Sequence, residues 1–398
     1  MTNEVLQKTA SDEQNVSSSN GLEPSLRFTG FYENWHEKYI KDVADVIGGG
    51  TPDTTKLEYW NGNIQWFTPT EIGHNKYVNK SKRTITEKGL KNSSAKLLPP
   101  KTILLTSRAT IGECSIIEKE CATNQGFQSL VPNSLINNEF CYYLINTKKK
   151  ELLRKASGST FLEISNSEIK QIKCKFPSLL EQQKIATFLS LMDTRIEKQR
   201  QLVESLKKYK RGALSRVFND VLETVKLSDI SNFISSARTL STTLNGNKGI
   251  YPVYDAAGIA GYIDYYDIDS DYITIVKDGS GVGRLQKCDK KSSFIGTLGA
   301  LVAKNCTTDF LYAVLQTIDF SKFVTGMAIP HIYYRDYKST LLPFPSEEKQ
   351  HFISQLLKKF DIYIENETQK LTNMLAYKQD CSSRCLYKHF LEKTFFHK

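Results

Sequence analysis

The sequence predicts an α+β protein built twice over: two mixed α/β globular domains separated by two long antiparallel coiled-coil helices, with an internal pseudo-two-fold repeat. Three observations predict it. One stretch recurs once without a gap, both copies carry apolar residues at heptad spacing, and the segments between them alternate β-rich runs with turn residues.

Shifting the 398-residue chain by 168 lays Phe176-Pro-Ser178 on Phe344-Pro-Ser346, and the match runs to Arg216 against Arg384 with 14 of 41 positions identical. Chance does not produce this. The identities include Gln182/Gln350, Leu189/Leu357, Asp193/Asp361, Tyr209/Tyr377 and Lys210/Lys378. Weaker echoes lie upstream: Ile40 to Val43 against Leu227 to Ile230, Ile111-Gly112 against Val282-Gly283, and Gly158 to Ile164 against Gly326 to Ile332. Residues 1–25 then read as a disordered polar tail, 26–177 as the first globular domain and 178–219 as a central helix. Residues 220–345 read as the second domain and 346–398 as a C-terminal helix.

Ser178-Leu-Leu-Glu181 after Pro177 predicts a capping box, in which hydroxyl and carboxylate each satisfy an orphan backbone N–H. Apolar residues follow at 185, 189, 192, 196, 203, 206, 213 and 217, with Gln199 and Lys210 filling the vacant heptad positions. The second copy repeats the seam at Ile353, Leu357, Phe360, Ile364, Leu371, Met374, Cys381 and Cys385. Ile185, Leu189, Met192, Ile196 and Leu206, with Ile353, Leu357, Phe360, Ile364 and Leu371, are therefore candidates for helix pairing or partner docking. The alternative is that each helix is an amphipathic core element of its own domain. Some 36 residues make a rod of roughly 54 Å, longer than a small domain needs. Residues 198 to 216 carry seven Lys or Arg against one Glu, which suits a solvated face or a polyanion.

The globular segments alternate runs such as Thr102 to Thr106 and Tyr272 to Val276 with Gly, Asn and Asp turns, and shorter helical patterns occur at Phe140 to Ile145 and Phe310 to Leu315. Polar clusters sit between the apolar runs. Base readout needs side chains with paired donors and acceptors on loops at a groove, flanked by phosphate contacts. The first domain offers Thr51, Trp66, Thr68, Thr70, Ser107, Arg108, Thr110, Asn124, Gln125 and Ser159. The second offers Tyr251, Tyr254, Lys277, Ser280, Arg284, His331, Tyr333 and Tyr334. Each cluster taken singly is also an ordinary turn. Gly48-Gly-Gly-Thr-Pro52 suggests a phosphate cradle, but no Gly-Lys-Ser follows it.

A net charge of +10 and a pI near 9 favour a polyanionic partner without naming one. No apolar run approaches the roughly 20 residues of a membrane span, and no charged-then-apolar leader opens the chain. A soluble, cytoplasmic protein is expected. Eight cysteines without a Cys-x-x-Cys pair read as reduced thiols, and Cys381 with Cys385 as one apolar helix face rather than a metal pair. No metal is expected.

Leu26-Arg-Phe-Thr-Gly-Phe31 with Trp35, Gly49-Gly-Thr-Pro-Asp53 with Tyr59-Trp-Asn-Gly62, Ser107-Arg-Ala-Thr-Ile-Gly112 and Asn124-Gln-Gly-Phe127 resemble the first target-recognition domain of type I restriction-modification specificity subunits. Phe176-Pro-Ser-Leu-Leu-Glu-Gln-Gln-Lys-Ile185, repeated once, is similar to the start of that family's central helix. The resemblance implies a non-catalytic subunit of a type I site-specific deoxyribonuclease and adenine-N6 methyltransferase. Each recognition domain reads half of a split double-stranded DNA target, and the helices set the spacer. Heads about a helical turn apart, roughly 34 Å, can face successive major grooves. The implied partners are two methyltransferase subunits, which use S-adenosylmethionine, and motor-nuclease subunits, which use ATP and Mg2+; the chain itself needs no cofactor. One departure matters. The second domain has Asp278-Gly-Ser-Gly-Val-Gly283 for Ser107 to Gly112 and lacks Asn124-Gln-Gly, so an asymmetric target is expected.

Two other readings compete. A self-sufficient DNA methyltransferase or nuclease needs a Pro-Pro-aromatic loop or carboxylates clustered with a Lys; the chain has Pro99-Pro100-Lys101, and Asp53 with Glu58 lacks a nearby Lys at the usual position. A coiled-coil protein-interaction scaffold explains the helices but not the paired globular domains.

Overall fold

The structure is a computed structural model that describes residues 6–8, 24–158, 162–235, 244 and 249–386. Ser159 and residues 387–398 of the C-terminal segment lie outside the described residues, as does most of the tail. The chain divides into two compact units, residues 1–198 with 371–398, and residues 199–370.

The first unit contains β1 (Leu6–Lys8), β2 (Leu26–Phe28), β3 (His36–Tyr39), α1 (Ile40–Val43), β4 (Ala44–Gly48), β5 (Trp60–Phe67), β6 (Tyr77–Val78), β7 (Arg83–Ile85), α2 (Glu87–Lys91), β8 (Ile103–Leu105), β9 (Cys114–Ile117), β10 (Cys121–Thr123), β11 (Gln128–Pro132), α3 (Asn138–Thr147), α4 (Lys149–Lys155), α5 (Asn166–Lys170), β12 (Lys173–Phe176) and the start of α6 (Leu179–Asn219). Its sheets run β4-β11-β8-β9-β6 and β10-β5-β7, and β3 pairs with β12. Ile103-Leu-Leu105 reads as a continuous apolar run because every residue of this central strand is buried. Three residues of the tail expected to be disordered form β1, because β2 offers them a free antiparallel edge. The core gathers Trp35, Phe140, Ile185 and Leu189 with Cys381, Cys385 and Leu386, so the two cysteines do lie on an apolar face.

The second unit continues α6 and adds β13 (Thr224–Lys226), α7 (Leu227–Ile230), β14 (Ser231–Ile234), β15 (Tyr251–Asp255), β16 (Gly258–Ile263), β17 (Tyr272–Val276), β18 (Leu285–Cys288), β19 (Ser293–Phe294), β20 (Leu298–Ala303), α8 (Thr308–Leu315), α9 (Tyr334–Tyr337), β21 (Leu341–Pro343) and the first part of α10 (Glu347–Leu386). Its sheets run β14-β20-β17-β18 and β16-β15-β19, with β13 on β21. Apart from β6, these two sheets repeat those of the first unit: β4-β11-β8-β9 becomes β14-β20-β17-β18, and the parallel pair β5/β10 becomes β15/β19. The helix starts repeat as well. Asn137 caps α3 by accepting from the Phe140 N–H at 3.0 Å, and Thr307 caps α8 by accepting from the Phe310 N–H at 3.1 Å. Duplication thus extends through the globular parts, whose side chains have diverged.

At the start of α6 the Ser178 hydroxyl accepts from the Glu181 N–H at 3.4 Å, but the expected capping box is only half formed. Glu181 turns instead to Arg27: Nε and Nη2 each donate to one carboxylate oxygen at 2.8 Å, with both side chains buried. A bidentate guanidinium outcompetes a single backbone N–H. The identical glutamines explain themselves. Gln182 Nε2 donates to Pro177 O at 3.0 Å and Leu135 O at 3.2 Å, and its Oε1 accepts from the Asn137 N–H at 2.9 Å. Gln350 Nε2 repeats the first of these bonds, donating to Pro345 O at 2.9 Å. We expect Gln182→Leu to cost about 2–3 kcal/mol, since it removes the partner of three backbone groups, and Gln350→Leu about 1 kcal/mol, since it removes the partner of one. Amide exchange in the first turns of α6 and α10 measures both, and equal effects would refute the difference.

The two long helices run antiparallel. In the second unit Gln199 Nε2 donates to Glu367 Oε2 at 2.6 Å, Lys210 Nζ pairs with Asp361 Oδ1 at 2.6 Å, and Tyr209 packs on Phe360. In the first unit Lys378 pairs with Asp193, the repeat's equivalent of Lys210 with Asp361. Of the expected seam, Ile185, Leu189, Ile196, Ile353 and Leu357 are buried, while Met192, Leu206, Phe360, Ile364 and Leu371 are half-buried. The seam drifts near its end. Leu214 and Phe218 are buried more deeply in the core than the expected Ala213 and Val217, as a helix of 3.6 residues per turn slips against a 3.5 repeat.

Candidate nucleic-acid interface

In the first unit four segments far apart in sequence meet at strand ends. The Gly50 N–H donates to Thr123 O at 2.8 Å, the Asn124 N–H to Phe67 O at 3.1 Å, and the Ser107 N–H to Gly126 O at 2.8 Å. Trp66 Nε1 donates to Gly50 O at 2.9 Å. The loops holding Thr51, Thr68, Arg108 and Gln125 therefore form one surface. The glycines allow this closeness: a Cβ on Gly49 would stand 2.0 Å from Asn124 O, and one on Gly50 would stand 2.2 Å from Ser94 Oγ. The glycine run serves packing between loops.

Most candidates of this unit reach the surface. Thr51 Oγ1 donates to Gln125 Oε1, Thr68 Oγ1 donates to Glu71 Oε2 at 2.7 Å, and Thr70 is exposed beside it. Arg108 and Thr110 sit on a tight loop with Ala109 at φ 58° and Gly112 at φ 87°. Asn124 accepts from the Gly126 N–H at 2.9 Å, which shapes the turn and leaves Gln125 exposed. Trp66 and Ser107 are buried at 3% and 0%, so they build the surface from beneath. Two residues of this unit were missed in the sequence. Glu163 stands with Oε1 2.8 Å from Arg108 Nε, without a hydrogen bond's alignment, and the Arg83 guanidinium lies 3.6 Å from the Trp60 ring centroid. The match of Gly158–Ile164 to Gly326–Ile332 was the available signal for Glu163, since it set that residue opposite His331.

The second unit rebuilds the frame with other side chains. The Lys277 N–H donates to Thr297 O at 3.0 Å and the Ile295 N–H to Tyr254 O at 3.0 Å, the counterparts of the Ser107 and Asn124 bonds. The turn that seemed missing is thus Ile295-Gly296-Thr297, which keeps the backbone and drops the amide side chains. Asp278 bridges His331, and Thr325 bridges His331, as Arg108 and Ser157 bridge Glu163. An Arg–Glu pair has become an Asp and a His. Lys277 Nζ donates to Ser235 O at 2.9 Å, Arg284 Nη1 to Ala256 O at 3.0 Å, and Ser280 is exposed on the same loop. His331 packs edge-on to Tyr333 at 5.0 Å, and Arg335, not foreseen, lies 4.7 Å over the Tyr333 ring.

The remaining tyrosines sit deeper. Tyr334 stacks on Phe233 at 4.2 Å, Tyr254 is 5% exposed with its hydroxyl 3.4 Å from Asp289 Oδ2, and burial pushes both hydroxyls up from the ordinary phenol pKa. Tyr251 packs against Tyr266 at 4.9 Å. Each unit thus presents donors, acceptors and cations on loops over a rigid sheet end, the arrangement that groove reading and phosphate contact require.

Comparison with known proteins agrees with this geometry. The chain is 43% identical over 180 residues to the type I restriction enzyme MjaIX specificity subunit of Methanocaldococcus jannaschii, a match covering 44% of this chain and 42% of that one. The match to the EcoR124I/EcoR124II specificity subunit of Escherichia coli, at 30% identity, covers 39% of this chain and 40% of that one, so the chain spans under half the length of these two relatives. The EcoprrI specificity subunit of Escherichia coli is 24% identical over 86% of this chain and 90% of its own. In fold, the chain is similar to a type I restriction-modification S subunit from M. genitalium, with a TM-score of 0.58 at 18% identity, over 92% of this chain and 100% of that one. The model of the type I restriction modification DNA specificity domain matches residues 32–208 and again residues 219–375, and with both halves accounted for the chain belongs to that family.

Proposed function

We propose that this chain is the DNA-reading subunit of a type I restriction-modification complex and does no chemistry itself. Each unit reads one half of a bipartite double-stranded target, and the two long helices fix the number of unread base pairs and dock two methyltransferase subunits. Those partners use S-adenosylmethionine to methylate adenine, and motor-nuclease subunits using ATP and Mg2+ complete the restricting complex. One observation carries the reading: the same loop frame is built twice, with Arg108, Glu163 and Gln125 in one unit and Asp278, His331 and Gly296 in the other. A common frame with exchanged side chains suits two readers of different half-sites.

The test is to co-express the chain with its cognate methyltransferase subunit in a methylation-free host and map modified adenines across the genome. A split, asymmetric motif with one spacer length is expected. Two identical half-sites would refute the asymmetry. No modification from an assembled complex would refute DNA reading and leave the protein-interaction scaffold. DNA binding should also weaken steeply with salt, by about 0.9 log units per phosphate contact for each tenfold rise.

A further inference from the structure

We propose that Gln125 selects an adenine in the half-site read by the first unit, and that the second unit reads its half-site with no side chain at the position equivalent to Gln125. This rests on the DNA-reading function above. Gln125 projects from the turn where all four loops meet, and it is exposed while its neighbours Asn124 and Gly126 are held from below. Its amide is oriented before any ligand arrives: Thr51 Oγ1 donates to Oε1, and Nε2 has no hydrogen bond to any described residue. An oriented amide with a free donor and a remaining acceptor lone pair matches adenine, whose N6 donates and N7 accepts on the major-groove edge.

At the equivalent turn the second unit carries Gly296. Nothing lies within 4 Å of where its Cβ would be, and its backbone is not in the left-handed region, so neither space nor conformation demands glycine there. Gly126 differs, since a Cβ there would stand 2.7 Å from Pro69 Cγ. The bare position at Gly296 is a difference in what is read.

The experiment maps adenine methylation from the assembled complex carrying the original chain, Gln125→Ala, Gln125→Glu or Thr51→Val. Gln125→Ala should relax one A·T position in one half-site by about tenfold or more, with the other half-site unchanged. Gln125→Glu should shift that position toward C·G, because a carboxylate accepts from cytosine N4. Thr51→Val should weaken discrimination there without changing the preferred base. An unaltered motif with Gln125→Ala, or a uniform fall at every site, overturns the assignment. Absence of any motif with the original chain overturns the DNA-reading function instead.

Discussion

Glu181→Leu should lower the stability of the first unit by about 3–5 kcal/mol, because it leaves the Arg27 guanidinium charged and buried without its carboxylate. The pair joins residues 154 apart in sequence, so the loss detaches β2 from the start of α6. Replacing both partners, Arg27→Met with Glu181→Leu, should recover most of the loss, since the desolvation penalty disappears with the charge. The protein carries a convenient reporter. All three tryptophans, Trp35, Trp60 and Trp66, belong to the first unit, so fluorescence-detected unfolding follows that unit alone. The single variant should shift the urea midpoint down by roughly 1–2 M. A double variant as unstable as the single one would show that the charge is not the cause.

Gly49→Val should abolish reading by the first unit. Even the first added carbon would stand 2.0 Å from Asn124 O and 2.5 Å from Thr123 O, both backbone atoms that no rotamer change can move. The loop must lift, breaking the Trp66 bond to Gly50 and separating Thr51 from Gln125. Overpacking typically costs about 1–3 kcal/mol and occasionally more. Methylation at the native target should vanish while the methyltransferase complex still assembles, because α6 and α10 are untouched. Retention of the native motif would mean that these loops do not form the reading surface.

The helices were legible because their signal is local: heptad spacing, a proline before the first turn and a repeat at constant offset. The Phe-Pro-Ser start and the shared Gln182 and Gln350 are visible in sequence, and only their partners are not. Much of the rest depends on long-range pairing. Nothing around Cys121 announces that it pairs in parallel with Gln65, and nothing near Glu181 names Arg27. The capping-box pattern was present and lost to a stronger partner. Trp66 sat in a polar-looking stretch and is buried, because an indole offers the core its ring and a neighbouring carbonyl its N–H. The equivalence of Asn124-Gln-Gly126 to Ile295-Gly-Thr297 was hidden because backbone bonds preserve it and side chains do not.

Residues 199 and 367 are the same position of the repeat, and in the structure they meet each other. A glutamine could face its own copy, since an amide both donates and accepts. A glutamate could not, unless one of the two took up a proton. With Gln199 donating to the buried Glu367, the duplication has lost its exchange symmetry at its midpoint. The two halves have become a lock and a key: each helix is specified for the other and no longer for itself.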